Sequence, residues 1–128
     1  MMNDERRKTA LLAEDTMIGL AIGKAMLEAL GYRVTAVEDG PSAIDAASMA
    51  DFDCALLDLQ LPGLDGLSVA RSIRLSCQIE ERRLPRIVAM TASRPDWIEA
   101  ELAAGTFQAF LEKPLRPGPL RKALGRES

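Results

Sequence analysis

Short apolar runs that stop on polar side chains alternate along this chain with stretches that repeat every three to four residues. The first run, Thr9 to Ala13, ends in Glu14 and Asp15. Behind it, Ile18, Ile22, Met26 and Leu30 share one stripe, with Lys24 and Glu28 opposite. That spacing predicts an amphipathic helix, and Gly31 supplies its stop. Tyr32 to Val37 partly alternates, with Arg33 and Thr35 polar, as a strand near a sheet edge does. Asp39-Gly40-Pro41-Ser42 is a turn whose proline suits a first helical turn, and Ile44, Ala47 and Met49 line the short helix after it. Cys54 to Leu57 is uniformly apolar and closes on Asp58. Such a run suits a strand buried on both faces, as in a parallel sheet.

Pro62-Gly63 forces a turn, and Asp65 is the expected cap of a third helix reaching about Cys77, with Leu67, Ala70, Ile73 and Leu75 inward. Gln78 to Pro85 reads as a charged, exposed and mobile connection. Arg86 to Thr91 is a fourth strand, Pro95 to Ala104 a helix closed by Gly105, and Ala109 to Leu111 a fifth strand. Pro117 to Leu124 makes the last helix, with Leu120 and Leu124 inward. Five strands alternating with five helices call for an α/β fold, a doubly wound parallel sheet with right-handed crossovers. The flavodoxin-like strand order 2-1-3-4-5 would make the first and third strands neighbours at the switch point, where such sheets bind ligands. Residues 1–8 are polar and expected to be loosely held; residues 9–125 form the domain.

Composition refines this picture without redirecting it. The 128 residues are 48% hydrophobic and 27% charged, as in an ordinary globular domain, and a net charge of −3 provides no basic field for nucleic acid. Cys54 and Cys77 make no Cys-x-x-Cys pair, which suits a reducing, cytoplasmic setting. The basic Arg6-Arg7-Lys8 is followed too soon by Glu14-Asp15 for a signal peptide. Lys24 and Glu28 interrupt the apolar stretch from Met17 to Leu30, so it does not span a membrane. The chain has no histidine, so any imidazole chemistry must come from a partner.

The chemistry gathers at the strand ends: Glu14-Asp15 after the first, Asp58 on the third, Thr91 on the fourth, Lys113 after the fifth. Three carboxylates and one ammonium in one crevice carry about −2. Two like charges ~4 Å apart at an effective dielectric of ~20 repel by about 4 kcal/mol. Either carboxylates protonate or a divalent cation binds, and an all-oxygen donor set favours Mg²⁺ over zinc. A carboxylate beside Mg²⁺ can attack a phosphoryl group, with a lysine and a hydroxyl to steady the transferring oxygens.

The acidic pair Glu14-Asp15, the Asp58-x-x-Leu-Pro-Gly-x-Asp-Gly run, Thr91-Ala92 and Lys113-Pro114 occur in an order and spacing that resemble the receiver domain of two-component response regulators. The resemblance extends from about Thr9 to Leu124. It implies that Asp58 is the phosphoacceptor, and that Glu14, Asp15, Asp58 and the carbonyl of Gln60 hold Mg²⁺, with Asp15 and Asp58 as direct ligands. It further implies that Thr91 and Lys113 contact the phosphoryl oxygens, that Phe110 is the switch aromatic, and that Lys113-Pro114 is cis. The donor would be a histidine kinase or histidine phosphotransfer protein. The face of the fourth helix, fifth strand and last helix would rearrange to meet a downstream target or a second copy. Glu-Asp replaces the more usual Asp-Asp pair, and Phe110 lacks a tyrosine's hydroxyl. The long connection Ser76 to Pro85 is similar to that of receivers attached to hybrid sensor kinases.

Two other functions compete. A haloacid-dehalogenase-type phosphatase also uses an aspartate nucleophile, but needs a carboxylate two residues on, where this chain has Gln60. A non-phosphorylated pseudo-receiver would be expected to lose acidic or lysine positions that are all kept here. The chain therefore reads as a signalling acceptor with no enzyme activity beyond its own phosphotransfer and autodephosphorylation. Plainer readings apply to other residues: Asp53 as a solvated residue before its strand, Cys54 as inert filler, Trp97 as either an exposed contact or a residue packed on Leu102 or Phe107.

Overall fold

The computed structural model of the protein describes residues 8–125. The segment expected to be loose lies outside them except for Lys8, which opens the first strand. In chain order the elements are β1 (Lys8–Ala13), α1 (Met17–Ala29), β2 (Tyr32–Val37), α2 (Gly40–Met49), β3 (Cys54–Asp58), α3 (Gly66–Glu80), β4 (Arg86–Thr91), α4 (Ile98–Ala104), β5 (Ala109–Glu112) and α5 (Pro117–Ala123). All strand pairs are parallel, as the alternation required, and the sheet order is β2-β1-β3-β4-β5, the flavodoxin-like order expected.

Strand side chains alternate between two cores, because successive residues of a strand point to opposite faces. Leu11, Ala13, Ala55, Leu57, Ile87 and Ala89 pack with α2, α3 and α4 through Ala43, Val69, Ile73 and Ile98. Ala10, Leu12, Cys54, Leu56, Val88 and Met90 pack with α1 and α5 through Leu27, Leu120 and Ala123. Every residue of β3 is buried, as its uninterrupted apolar run implied. Three helices start on side-chain caps: Thr16 accepts from the Gly19 N–H, Asp39 from Ser42 and Asp65 from Ser68.

Several expectations about the helices need correction. Only half of the Ile18–Ile22–Met26–Leu30 stripe of α1 faces inward: Met26 and Leu30 pack beside the buried Gly23 and Leu27, while Ile18 is 73% and Ile22 44% exposed. Both neighbouring stripes of this helix are apolar, so periodicity alone could not choose between them. Gly23 decides it, since a Cβ there would already touch Leu12 at 3.0 Å. Likewise Met49 and Leu75 point outward.

The third helix continues to Glu80, past the expected Cys77, and the connection behind it is pinned. Glu81 adopts left-handed backbone (φ 55°), and the Arg82 N–H closes back on the Cys77 carbonyl at 2.8 Å. The Arg82 guanidinium donates to the carbonyls of Ala47 and Ala50 and to Asp51. The connection expected to be mobile is thus tied to the end of α2. Finally, α4 is shorter than expected, with Pro95 to Trp97 forming a turn before it.

Candidate metal and phosphoacceptor site

The carboxyl ends of β1, β3, β4 and β5 meet at one rim of the sheet because the parallel register keeps them level. Asp58 is the last residue of β3 and lies opposite Met90; Thr91, the last of β4, pairs with Glu112 of β5. The Lys113 N–H donates to the Thr91 carbonyl at 2.9 Å, which fixes the lysine backbone against β4. The Lys113-Pro114 bond is cis.

Asp58 is only 3% exposed and Glu14 1%. Lys113 Nζ donates to Glu14 Oε1 and to Asp58 Oδ2, bridging the tips of β1 and β3. Asp58 Oδ1 accepts the Gln60 N–H at 2.8 Å. Glu14 Oε2 accepts both the N–H and the hydroxyl of Thr16, each at 3.0 Å. Asp15 is exposed, yet one oxygen from each of Glu14, Asp15 and Asp58 falls within 4.8 Å of the others, so the trio could hold a metal ion. All three donors are hard carboxylate oxygens, which suits a cation such as Mg²⁺.

The titration of these groups follows from their surroundings. Burial pushes the Asp58 carboxyl up, and the Lys113 ammonium and Gln60 N–H do not fully compensate, with Glu14 adding repulsion. For Glu14, burial also acts upward, but Lys113 and Thr16 together outweigh it and the net direction is down. Burial alone would lower Lys113, yet its two carboxylates hold it above its ordinary value. Asp58 is therefore the carboxylate whose charge is least well compensated.

The structure brings Glu14, Asp15, Asp58 and Lys113 into one crevice with the Gln60 backbone. Thr91 sits at the same rim and is buried, but its hydroxyl makes no hydrogen bond to Asp58 or Lys113 among the described residues. Phe110 is half-buried on β5 opposite Ala89, with the Arg94 guanidinium 5.2 Å above its ring. Sequence reasoning missed Thr16 and Arg94. A threonine capping a helix two residues after a buried acid was a usable signal for Thr16; nothing local marks Arg94.

The family model of the response regulator receiver domain matches residues 10–125. The chain belongs to this family. Among curated relatives, the sensor histidine kinase AruS of Pseudomonas aeruginosa is 40% identical over 116 residues, covering 90% of this chain and 11% of that protein. The polar-differentiation response regulator DivK of Brucella ovis is 29% identical, covering 84% of this chain and 85% of that protein. This receiver thus spans about a tenth of the kinase relative's length. The solved receiver domain of sensor histidine kinase PA1611 from P. aeruginosa PAO1 is 37% identical with a TM-score of 0.79, covering 94% of this chain and 96% of that one. That structure has a magnesium ion coordinated in its active site cleft. A further solved neighbour is the receiver domain of the Saccharomyces cerevisiae response regulator Ssk1, crystallised with the histidine phosphotransfer protein Ypd1; that chain is 24% identical with a TM-score of 0.82, covering 92% of this chain and 86% of that one. No helix among the described residues is long and apolar enough to cross a membrane.

Proposed function

We propose that residues 9–125 act as a phosphoacceptor in a cytoplasmic two-component or phosphorelay system, with Asp58 receiving the phosphoryl group from a histidine kinase or histidine phosphotransfer protein. The observation that carries this reading is the position of Asp58: buried at the sheet rim, under-compensated in charge, and already bridged by Lys113. Its Oδ attacks phosphorus as the P–N bond to the donor histidine breaks, and the departing imidazole nitrogen takes up a proton. Lys113 Nζ, now shared between Asp58 and Glu14, follows the new negative charge onto the phosphoryl oxygens. The Thr91 hydroxyl, free of the site's existing bonds, turns toward the same oxygens. Glu14, Asp15, Asp58 and the Gln60 carbonyl hold Mg²⁺, which supplies charge neutralisation for the phosphoryl oxygens when bound.

The donor needs a surface beside this rim. Met17, Ile18 and Ile22 are exposed on α1, and Ile18 and Ile22 line a cleft of about 410 Å³ with Glu14, Lys113, Pro114 and Leu115. This apolar margin is where the histidine-bearing helix docks. The adduct adds about −1.5 to −2 charge. Movement of Thr91 then pulls on the loop carrying Arg94, disturbs its contact with Phe110, and alters the α4–β5–α5 face offered to a downstream target or a second copy. The same site hydrolyses the acyl phosphate and resets the switch.

Incubation with Mg²⁺ and acetyl phosphate, followed by intact-mass measurement, should give one phosphoryl adduct that Asp58→Asn lacks. An unmodified wild-type protein under these conditions would sink the reading.

A further inference from the structure

The acidic pair of this site begins with a glutamate, and the extra methylene has to go somewhere. Glu14 is 1% exposed and its carboxylate folds forward over the first turn of α1. Its Oε2 accepts the Thr16 N–H and hydroxyl, and Thr16 Oγ1 in turn accepts the Gly19 N–H at 3.0 Å. The space this carboxylate occupies is the space a side chain at position 19 would fill. A Cβ on Gly19 would lie 2.5 Å from Glu14 Oε1 and 2.6 Å from Thr16 Oγ1. Real Cβ atoms do not approach other atoms so closely, so one of them must move. Glu14 Oε1 is also the atom that holds Lys113. Any displacement there propagates to the lysine that bridges to Asp58.

Other features of the molecule lead less far. The outward Leu75 and Ile79 on α3 form an apolar stripe with nothing to indicate what covers it. Cys77 is buried in the core beneath α3, and its thiol donates to the Arg83 carbonyl. The apolar margin of α1 belongs to the docking surface already described. Gly19, by contrast, touches the site through named atoms and has no conformational reason of its own to be glycine, since its φ is unexceptional and it lies within a regular helix turn.

We infer that Gly19 is a positioning residue: the absence of a side chain there lets a glutamate, in place of an aspartate, stand at position 14 with its carboxylate clamped between Thr16 and Lys113. Glutamate at 14 and glycine at 19 form one unit. Replacing either alone disturbs the site; shortening the acid removes the larger part of the demand for glycine and leaves only the Thr16 Oγ1 contact.

The test is a four-protein cycle of wild type, Glu14→Asp, Gly19→Ala and the double variant, read as thermal midpoints in EDTA. Alanine at an unobstructed helix position stabilises by trimming the unfolded chain's freedom. Gly19→Ala should nevertheless lower the midpoint in wild type, by about 5 °C, and by clearly less in the Glu14→Asp background, where only the Thr16 Oγ1 contact remains. Should Gly19→Ala fail to fold, folding of the double variant carries the same meaning. An equal loss in both backgrounds, no loss in wild type, or a double variant that also fails to fold would overturn the inference.

Calorimetric Mg²⁺ titration gives a second readout that rests on the metal-binding reading above. Gly19→Ala should weaken binding roughly tenfold in wild type, and by less than that in the Glu14→Asp background. Equal weakening by Gly19→Ala in both backgrounds would count against the proposed coupling. Absence of Mg²⁺ binding in wild type would defeat that metal reading, while the EDTA midpoints would still decide the role of Gly19.

Discussion

At the amino end of the sheet, Asp53 accepts the Thr9 N–H at 2.7 Å and pairs with Arg83, while its own backbone joins β1 to β4. Burial acts to raise its carboxyl, but those partners outweigh it and hold it below the ordinary aspartate range. Nearby, Arg86 Nε donates to the Ala123 carbonyl at 2.6 Å, and Gln108 accepts the Ile87 N–H while donating to the Gly105 carbonyl. At the carboxyl end, three carboxylates gather beside one ammonium, which holds two of them, and Asp58 is pushed the other way. The contrast separates two tasks. One end is closed and fastens strands and helices together; the other is left short of positive charge, and so responds to whatever brings some.

The largest effect that would sharpen this contrast is metal-induced stabilisation. Mg²⁺ at one hundred times its dissociation constant should add about 2.7 kcal/mol in urea unfolding, and Asp15→Asn should remove most of it. Since Asp15 is exposed, the metal-free stability should barely change. No response to Mg²⁺ in wild type would erase the distinction between the ends.

Removing one carboxylate from each end should then act with opposite sign. Asp53→Ala should cost about 1 kcal/mol near neutral pH, because it strands the partly buried Thr9 N–H. With a folded pKa below the unfolded one, the Asp53 contribution exists above the unfolded value and disappears as pH falls through the folded value. The deficit of the variant should therefore shrink in acid.

Asp58→Asn, measured in EDTA, should stabilise by on the order of 1 kcal/mol, since it removes a charge that burial disfavours and that Glu14 repels. Here the folded pKa is raised, so the wild type loses stability as pH rises through that window. The advantage of Asp58→Asn should narrow as pH falls toward the unfolded value. A destabilising Asp58→Asn at neutral pH would break the comparison. The smallest effect belongs to the α1 margin beside the open end. Ile18→Gln should change stability by less than about 0.5 kcal/mol, yet slow phosphotransfer from a histidine donor in a stopped-flow or radiolabel assay.

Much of this arrangement could be read in the chain beforehand. The parallel sheet followed from alternation, and the placement of Glu14, Asp15, Asp58 and Lys113 followed from where apolar runs ended, because parallel strands bring their carboxyl ends level. What escaped was decided by tertiary contact. Ile18 and Leu27 are equally apolar, and only the snug approach of Gly23 to Leu12 shows which faces inward. Asp53 looked like a solvated residue until the Thr9 backbone and Arg83, more than 25 residues away on either side, closed on it. The extension of α3 to Glu80 depends on a non-glycine residue accepting a left-handed conformation, which local propensity disfavours.

The strict alternation of β3 between two cores has a consequence for how this domain can change over time. Deleting a single residue between Cys54 and Leu57 would exchange the two sets of inward side chains and swing Asp58 away from Lys113. Point substitutions in this strand can be graded by volume, but a one-codon gap cannot be partly tolerated. Length variation should therefore accumulate in the loops and spare the strand whose final carboxylate faces the rim.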